Sequence, residues 1–383
     1  MDFNISKEQE KIISEIKVFS NEVINKLDYQ IAGLSPFSKE DWRRCGEIKL
    51  HGLPIPEEFG GRGLDAVSTA LALEELGYSC IDAGLPFAIA AQMLSCLVPI
   101  WKFGNNEQKE ELLPHLCRGE KLLANSITEK DSGSDVYNMA GRAEKIDDNI
   151  FQLNAEKTMI TNAPIADGSL LYLATQAEKG YFGGISAFIV DHNLSGAESE
   201  EVIEKIGLES VQMGKQQFKN VRIDKNKILG QEGSGGPIFA LSMDWERACL
   251  GAVHVGLMRK ILEFCINFVK KRKVGNTYIS KHQAVSHKIA NMKVSLHISR
   301  LALYQAAWSL DNQSRPGLSA SISKLYISES LEQVCRDAFH IMGGAAYLKG
   351  SFIETYLRDS LSATIYSGTS DIQRNIIAKN LGI

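Results

Sequence analysis

Glu246 is a carboxylate in unusual company. If the chain is helical here, the side chains three and four residues away are Ser242, Met243, Cys249 and Leu250, with Phe239 and Val253 further along. Glu246 then sits on the apolar stripe, while Asp244 and Arg247 project off it. A carboxylate lodged among sulfur and hydrocarbon is desolvated, so its proton affinity rises toward neutrality. A general base for a weak carbon acid requires that property. Spacing alone leaves a second reading open, a structural glutamate paired with a distant arginine.

Other chemistries find little support. No GxGxxG opens a helix after a strand, and there is no GxxxxGK(S/T), HExxH or GxSxG. His282 and His287 are five residues apart, off a shared helical face, which weakens a metal reading. Forty-two basic against 46 acidic residues give a net charge of -4, and the long basic run is Lys270–Lys273, so nucleic acid is not expected as the main partner. The seven cysteines are odd in number and never spaced CxxC, as in reduced core thiols; a reducing cytoplasm is the expected setting. Met1-Asp2-Phe3-Asn4 lacks the basic-then-apolar pattern of a signal peptide. The uncharged run Ala83–Trp101 contains Pro86, Gln92, Ser95 and Pro99. Its longest helix is expected to fall short of the ~20 residues of a membrane span, leaving a core helix and no membrane partner.

The elements that must position Glu246 fall into three stretches of the 383 residues. Residues 1–118 read as helices: a capping box at Ser6 and Gln9, then Ile12, Ile13, Ile16, Phe19, Val23 and Leu27 on one stripe. Pro54, Pro56, Gly60, Gly61 and Gly63 mark a loop, followed by helices over about 65–79, within 86–99, and from Asn105 onward. Residues 119–230 carry strand signals at Phe151–Leu153, Ser169–Thr175, Ile185–Val190 and Phe218–Ile223. Residues 231–383 return to helix, over roughly 237–271, 280–310, 318–341 and 370–380. Helices, sheet, helices is an α+β order, with no βαβ alternation.

In that order the motifs resemble the acyl-CoA dehydrogenase superfamily over nearly the whole chain. Pro54–Gly63 resembles its N-terminal loop, Ile127–Asp135 (ITEKDSGSD) its flavin loop, and Lys157–Asn162 (KTMITN) the next flavin-contacting turn. Arg272, Gln283, Gly343-Gly344 and Gly368-Thr369 resemble C-terminal positions that hold FAD, partly across a subunit boundary. The resemblance implies a helical N-terminal domain, a central β-barrel-like domain and a C-terminal four-helix bundle, assembled as a homotetramer. It implies FAD contacts at Ile127, Thr128, Gly133, Ser134, Met159, Thr161, Arg272, Gln283, His340, Gly343, Gly344, Thr369 and Asp371, and a substrate contact at Arg247. Most members place the catalytic glutamate where this chain has Ser367; isovaleryl- and long-chain-type members place it at the position matching Glu246. Glu246 is therefore the implied base, and the Ser367 backbone N–H the implied donor to the thioester oxygen, with a flavin ribityl hydroxyl as the second. Met159 stands for a tryptophan, Gly275 for a phenylalanine and His340 for a glutamine.

Asn162–Asp167 (NAPIAD), Ser242–Cys249 (SMDWERAC) and Tyr366–Asp371 (YSGTSD) are similar to the members that oxidise prolyl groups tethered to carrier proteins in pyrrole- and pyrroline-forming pathways. That implies an acyl or peptidyl carrier as partner, with Glu246 taking the prolyl α-proton. Lys270, Lys271 and Lys273 could meet an acidic carrier or form a solvated helix end. His254, two turns on from Glu246, could line the pocket, with a core histidine the favoured reading. Two rivals remain: the same fold acting on another acyl thioester, and a flavin-less scaffold, for which the residues at 159, 275 and 367 argue.

Overall fold

The computed structural model describes residues 4–27, 35–313 and 316–383, so Met1-Asp2-Phe3 lies outside it. The Ser6–Gln9 capping box forms in both directions and starts the helix Lys7–Glu22, which buries Ile16 and Phe19. A second box, Ser38 with Asp41, starts a helix Lys39–Cys45 that the hydrophobic pattern does not predict. Ala66–Ser79 begins on the Asp65 cap and packs along Gly251–Lys271. The crossing is close: a Cβ at Gly77 would stand 2.2 Å from the Val253 carbonyl oxygen, and one at Gly256 2.0 Å from that of Glu74.

The run over 84–103 corrects the expectation of a short helix. Gly84–Gln92, a wide five-residue turn Met93–Leu97 and Val98–Phe103 join into 20 helical residues, long and apolar enough to cross a membrane. Pro86 falls in the first turn, where no N–H is needed, and Pro99 begins the segment after the wide turn. The run is mostly buried within the protein, as a core helix is.

Between the helical layers lies an eight-stranded sheet, β1 (Leu123–Ser126), β2 (Arg142–Lys145), β3 (Ile150–Thr161), β4 (Gly168–Ala174), β5 (Ile185–Asp191), β6 (Ala197–Val202), β7 (Met213–Asp224) and β8 (Ile228–Leu229). Its order is β6-β7-β3-β2-β4-β5-β8, with β1 parallel to β4. All of β4 is buried because its faces meet different cores: Leu171 and Leu173 pack with Phe151, Phe188 and Phe218, while Leu170 and Tyr172 join the helical core. A strand covered on both faces reads as a continuous apolar run, which is how Ser169–Thr175 stood out.

The C-terminal stretch packs Gly251–Lys271, Gln283–Asn312 and Gly317–Met342 against one another, with Ser370–Asn380 against the last of these. The leading helix starts at Gly235 and runs to Lys271, with a second wide turn at Glu246–Leu250. A helix Phe352–Leu361, capped by Ser351, was not expected. Gly275 sits at φ +57° in the turn between two-residue strands, Lys273–Val274 and Thr277–Tyr278. All seven cysteines are buried and free.

Candidate active site

Glu246 opens the wide turn Glu246–Leu250, which contacts the other wide turn, Met93–Leu97. Single wide turns inside α-helices are frequent at functional sites, because they re-aim one side chain without ending the helix. Glu246 is 8% exposed. Its Oε2 accepts a 2.5 Å hydrogen bond from Ser367 Oγ, and Cys96, Tyr172 and Tyr366 stand near enough to feel its charge. Burial pushes its pKa up to about 7, against the opposing pull of the Ser367 hydroxyl, Arg247 and the Ser95 hydroxyl. The hydrogen-bonding partner is a serine 121 positions away rather than a distant arginine, so the structural-pair reading gives way.

Ser367 sits in the left-handed region at φ +53° and Gly368 follows at +86°. The loop is pinned on its carbonyl side: Arg247 Nε donates to the Ser367 oxygen at 3.1 Å, and Gln373 Nε2 donates to the Ser367 and Gly368 oxygens at 3.1 and 2.9 Å. The Ser367 N–H forms no hydrogen bond among the described residues. An orphan donor beside a buried carboxylate suits an oxygen that gains charge during reaction. Arg247, off the stripe as the sequence implied, is half-buried and holds this loop.

A second group forms a shelf. Buried Lys157 donates to the Ile127 carbonyl at 3.0 Å and to Glu129 at 2.7 Å, and Glu129 accepts from the Ala140 and Gly141 N–H groups. Thr158 N–H donates to the Thr128 carbonyl at 3.0 Å. These bonds tie Ile127 and Thr128, at the start of the 127–134 loop, to the end of β3 that carries Met159 and Thr161. At Met159, φ is +55° where the β3–β7 register slips, and its side chain is 54% exposed. Gly133 has nothing within 4 Å of where a Cβ would stand, and the Asn162 Oδ1 is buried without a partner. An open, polar-edged shelf with an unpaired amide fits the flavin that the resemblance implies.

The remaining implied FAD positions stand apart. Arg272, Gln283, His340, Gly343 and Gly344 are exposed, and no hydrogen bond or ion pair joins them to the 127–134 loop among the described residues. Thr369 accepts from the Ile372 N–H and caps the last helix, and Asp371 is exposed. Sequence reasoning missed Ser95, Glu129, Lys157 and Gln373. Glu129 and Lys157 lay inside quoted motifs, and a carboxylate and an amine among strand residues were the available signal. His254 is buried, as a core histidine is, and it also bonds the Tyr366 hydroxyl and lines a cavity with Glu246. The large cavity, about 820 Å³, lies elsewhere and borders this helix at Leu241, Asp244 and Trp245.

Models of the acyl-CoA dehydrogenase N-terminal, middle and C-terminal domains match residues 6–120, 124–221 and 233–382. The chain is 41% identical over 382 residues to an L-prolyl-(peptidyl-carrier protein) dehydrogenase of Pseudomonas fluorescens, covering 100% of each. It is 36% identical to one from a Serratia species, covering 100% of this chain and 99% of that one. Among solved structures, PigA with FAD and proline superposes at TM-score 0.96 with 36% identity, covering 100% of this chain and 99% of that one. The prolyl acyl carrier protein oxidase AnaB superposes at 0.93 with 35% identity, covering 99% and 100%. A three-part match in this order over the whole length settles the question of kinship: the chain belongs to the acyl-CoA dehydrogenase family.

Proposed function

We propose that this protein is an FAD-dependent oxidoreductase that desaturates a prolyl thioester held on a carrier protein, giving a pyrroline or pyrrole carboxyl-carrier. The observation that carries it is Glu246, a buried carboxylate of pKa about 7 hydrogen-bonded to Ser367 on the loop with the unpaired N–H. The two prolyl-carrier dehydrogenases at 41% and 36% identity support the substrate.

The 127–134 loop and the 159–161 turn would hold FAD, which would supply an acceptor for the hydride leaving the β-carbon. Glu246 removes the α-proton, which the thioester has acidified. The Ser367 N–H stabilises the charge that gathers on the thioester oxygen, and it needs no reorganisation because Arg247 and Gln373 already fix the loop. Low exposure around Glu246 keeps water from lowering its basicity.

We also place the enzyme in natural-product biosynthesis, in the cytoplasm and as a homotetramer, with three units over 1–118, 119–230 and 231–383. Seven unpaired thiols suit a reducing compartment. Val294, Ile298, Leu301 and Trp308 form an exposed apolar stripe on Gln283–Asn312, which suits burial against another copy. The test of function is incubation with prolyl-loaded carrier. A mass loss of about 2 Da, or about 4 Da for the pyrrole, with bleaching of the flavin is expected. An unchanged carrier mass, or a wild-type rate in Glu246→Gln, overturns the reading.

A further inference from the structure

The connection between β4 and β5, residues 175–184, is longer than the usual hairpin loop of about two to five residues. It is firmly held all the same. The Gly184 carbonyl accepts from the Thr175 and Gln176 N–H groups, and Ser186 Oγ accepts from the Gly233 N–H at 2.8 Å. The turn rests on the start of the leading helix, where a Cβ at Gly236 would stand 2.4 Å from the Tyr181 carbonyl oxygen. Phe182 in this turn is 84% exposed. A lone surface phenylalanine needs no explanation, but this one heads a row of rings. Phe182 packs edge-on against Tyr181 at 4.7 Å, Tyr181 against Tyr137 at 5.2 Å, Tyr137 against Phe239 at 6.4 Å and Phe239 against Tyr172 at 5.8 Å. The row passes from an exposed ring through three half-buried ones to Tyr172, which is fully buried and near enough to Glu246 to feel its charge.

We propose that the β4–β5 turn is where the carrier protein docks: Phe182 meets an apolar patch on the carrier and Lys179 meets the phosphate of its phosphopantetheine arm. The arm then lies along Tyr181, Tyr137 and Phe239 and delivers the thioester to Glu246. The inference rests on the function proposed above, which makes a carrier the partner.

Reach and charge both favour this turn. Measured along the helix at about 1.5 Å per residue, Glu246 lies about 16 Å from Gly235, where the turn rests. The arm is a chain as long as roughly four to five extended residues, hence about 15 Å. Lys270–Lys273, the other basic group that could meet an acidic carrier, begins about 35 Å beyond Glu246 on the same helix, outside that reach. Lys179 is exposed, and no ion pair engages its ammonium among the described residues, so a cation stands free for the phosphate at arm's length from the base. Tyr137 follows the 127–134 loop within the short helix Val136–Asn138, so an arm on this wall ends beside the flavin shelf. Ring faces and edges suit the arm, whose amides alternate with hydrocarbon.

The test mixes FAD-loaded enzyme anaerobically with prolyl-loaded carrier over a series of concentrations and follows flavin bleaching. Each variant then yields a limiting rate and a half-saturating carrier concentration. In Phe182→Glu the half-saturating concentration should rise about tenfold or more, as loss of an aromatic anchor does, while the limiting rate stays within about twofold. Lys179→Glu should raise it severalfold, and Lys270→Glu with Lys271→Glu should leave it unchanged. A merely structural role for the turn would lower the limiting rate or the flavin content instead. An unchanged half-saturating concentration in Phe182→Glu overturns the docking site, as does a rise in the Lys270 and Lys271 variant in its place. Either result leaves the proposed function standing. No bleaching of the wild type at any carrier concentration overturns that function and the docking site with it.

Discussion

At the residue scale the chemistry turns on one ionisation. Only ionised Glu246 can take a proton, so kcat/KM should rise with pH through about 7. Glu246→Gln should lower flavin reduction by about 10²–10⁴-fold, the usual worth of a positioned general base, measured by stopped-flow bleaching. The same residue tilts stability. A carboxyl whose folded pKa is raised keeps its proton between about 4.5 and 7 while the unfolded chain has lost it, so stability falls as pH rises across that window. Glu246→Gln should therefore be the more stable protein at pH 8, by at most about 3 kcal/mol, read as a higher Tm. Ser367→Ala removes a donor that favours the ionised form, so the midpoint of its pH profile should move up by about one to two units.

At the element scale, the two wide turns and the buried Lys157–Glu129 pair do the positioning. Lys157→Met would leave Glu129 buried and uncompensated, which typically costs about 3–5 kcal/mol. Urea denaturation should show that loss, and the purified protein should carry less flavin because the 127–134 loop is no longer clipped to β3. The double variant Lys157→Met/Glu129→Leu should recover much of the stability but not the flavin content. The Ser6–Gln9 capping box, the turn glycines and the doubly buried strands were legible, because each is a local pattern. The wide turns were not: an extra residue inside a helix leaves the apolar stripe nearly intact, and Met93–Leu97 and Glu246–Leu250 carry no breaker residue. The helix Phe352–Leu361 was missed because its ten residues bury little more than Ile353 and Tyr356 among apolar side chains.

At the scale of the whole molecule, the exposed stripe on Gln283–Asn312 and the exposed Arg272, Gln283 and Gly343-Gly344 belong to one expectation. If a neighbouring copy covers the stripe and those residues complete the FAD site, Ile298→Glu with Leu301→Glu should dissociate the assembly and release flavin together. Light scattering should then move from about four times to one or two times the 42.2 kDa chain mass.

The sequence by itself determined the order of helices, sheet and helices, the motifs on the shelf, and the presence of a carboxylate on an apolar helical stripe, since these are properties of residues within a few positions of one another. Tertiary structure decided what that carboxylate meets: a hydroxyl from 121 residues away and a loop pinned by Arg247 and Gln373. Desolvation and hydrogen bonding depend on which groups the folded chain brings within a few ångströms, and no spacing along the chain encodes that distance.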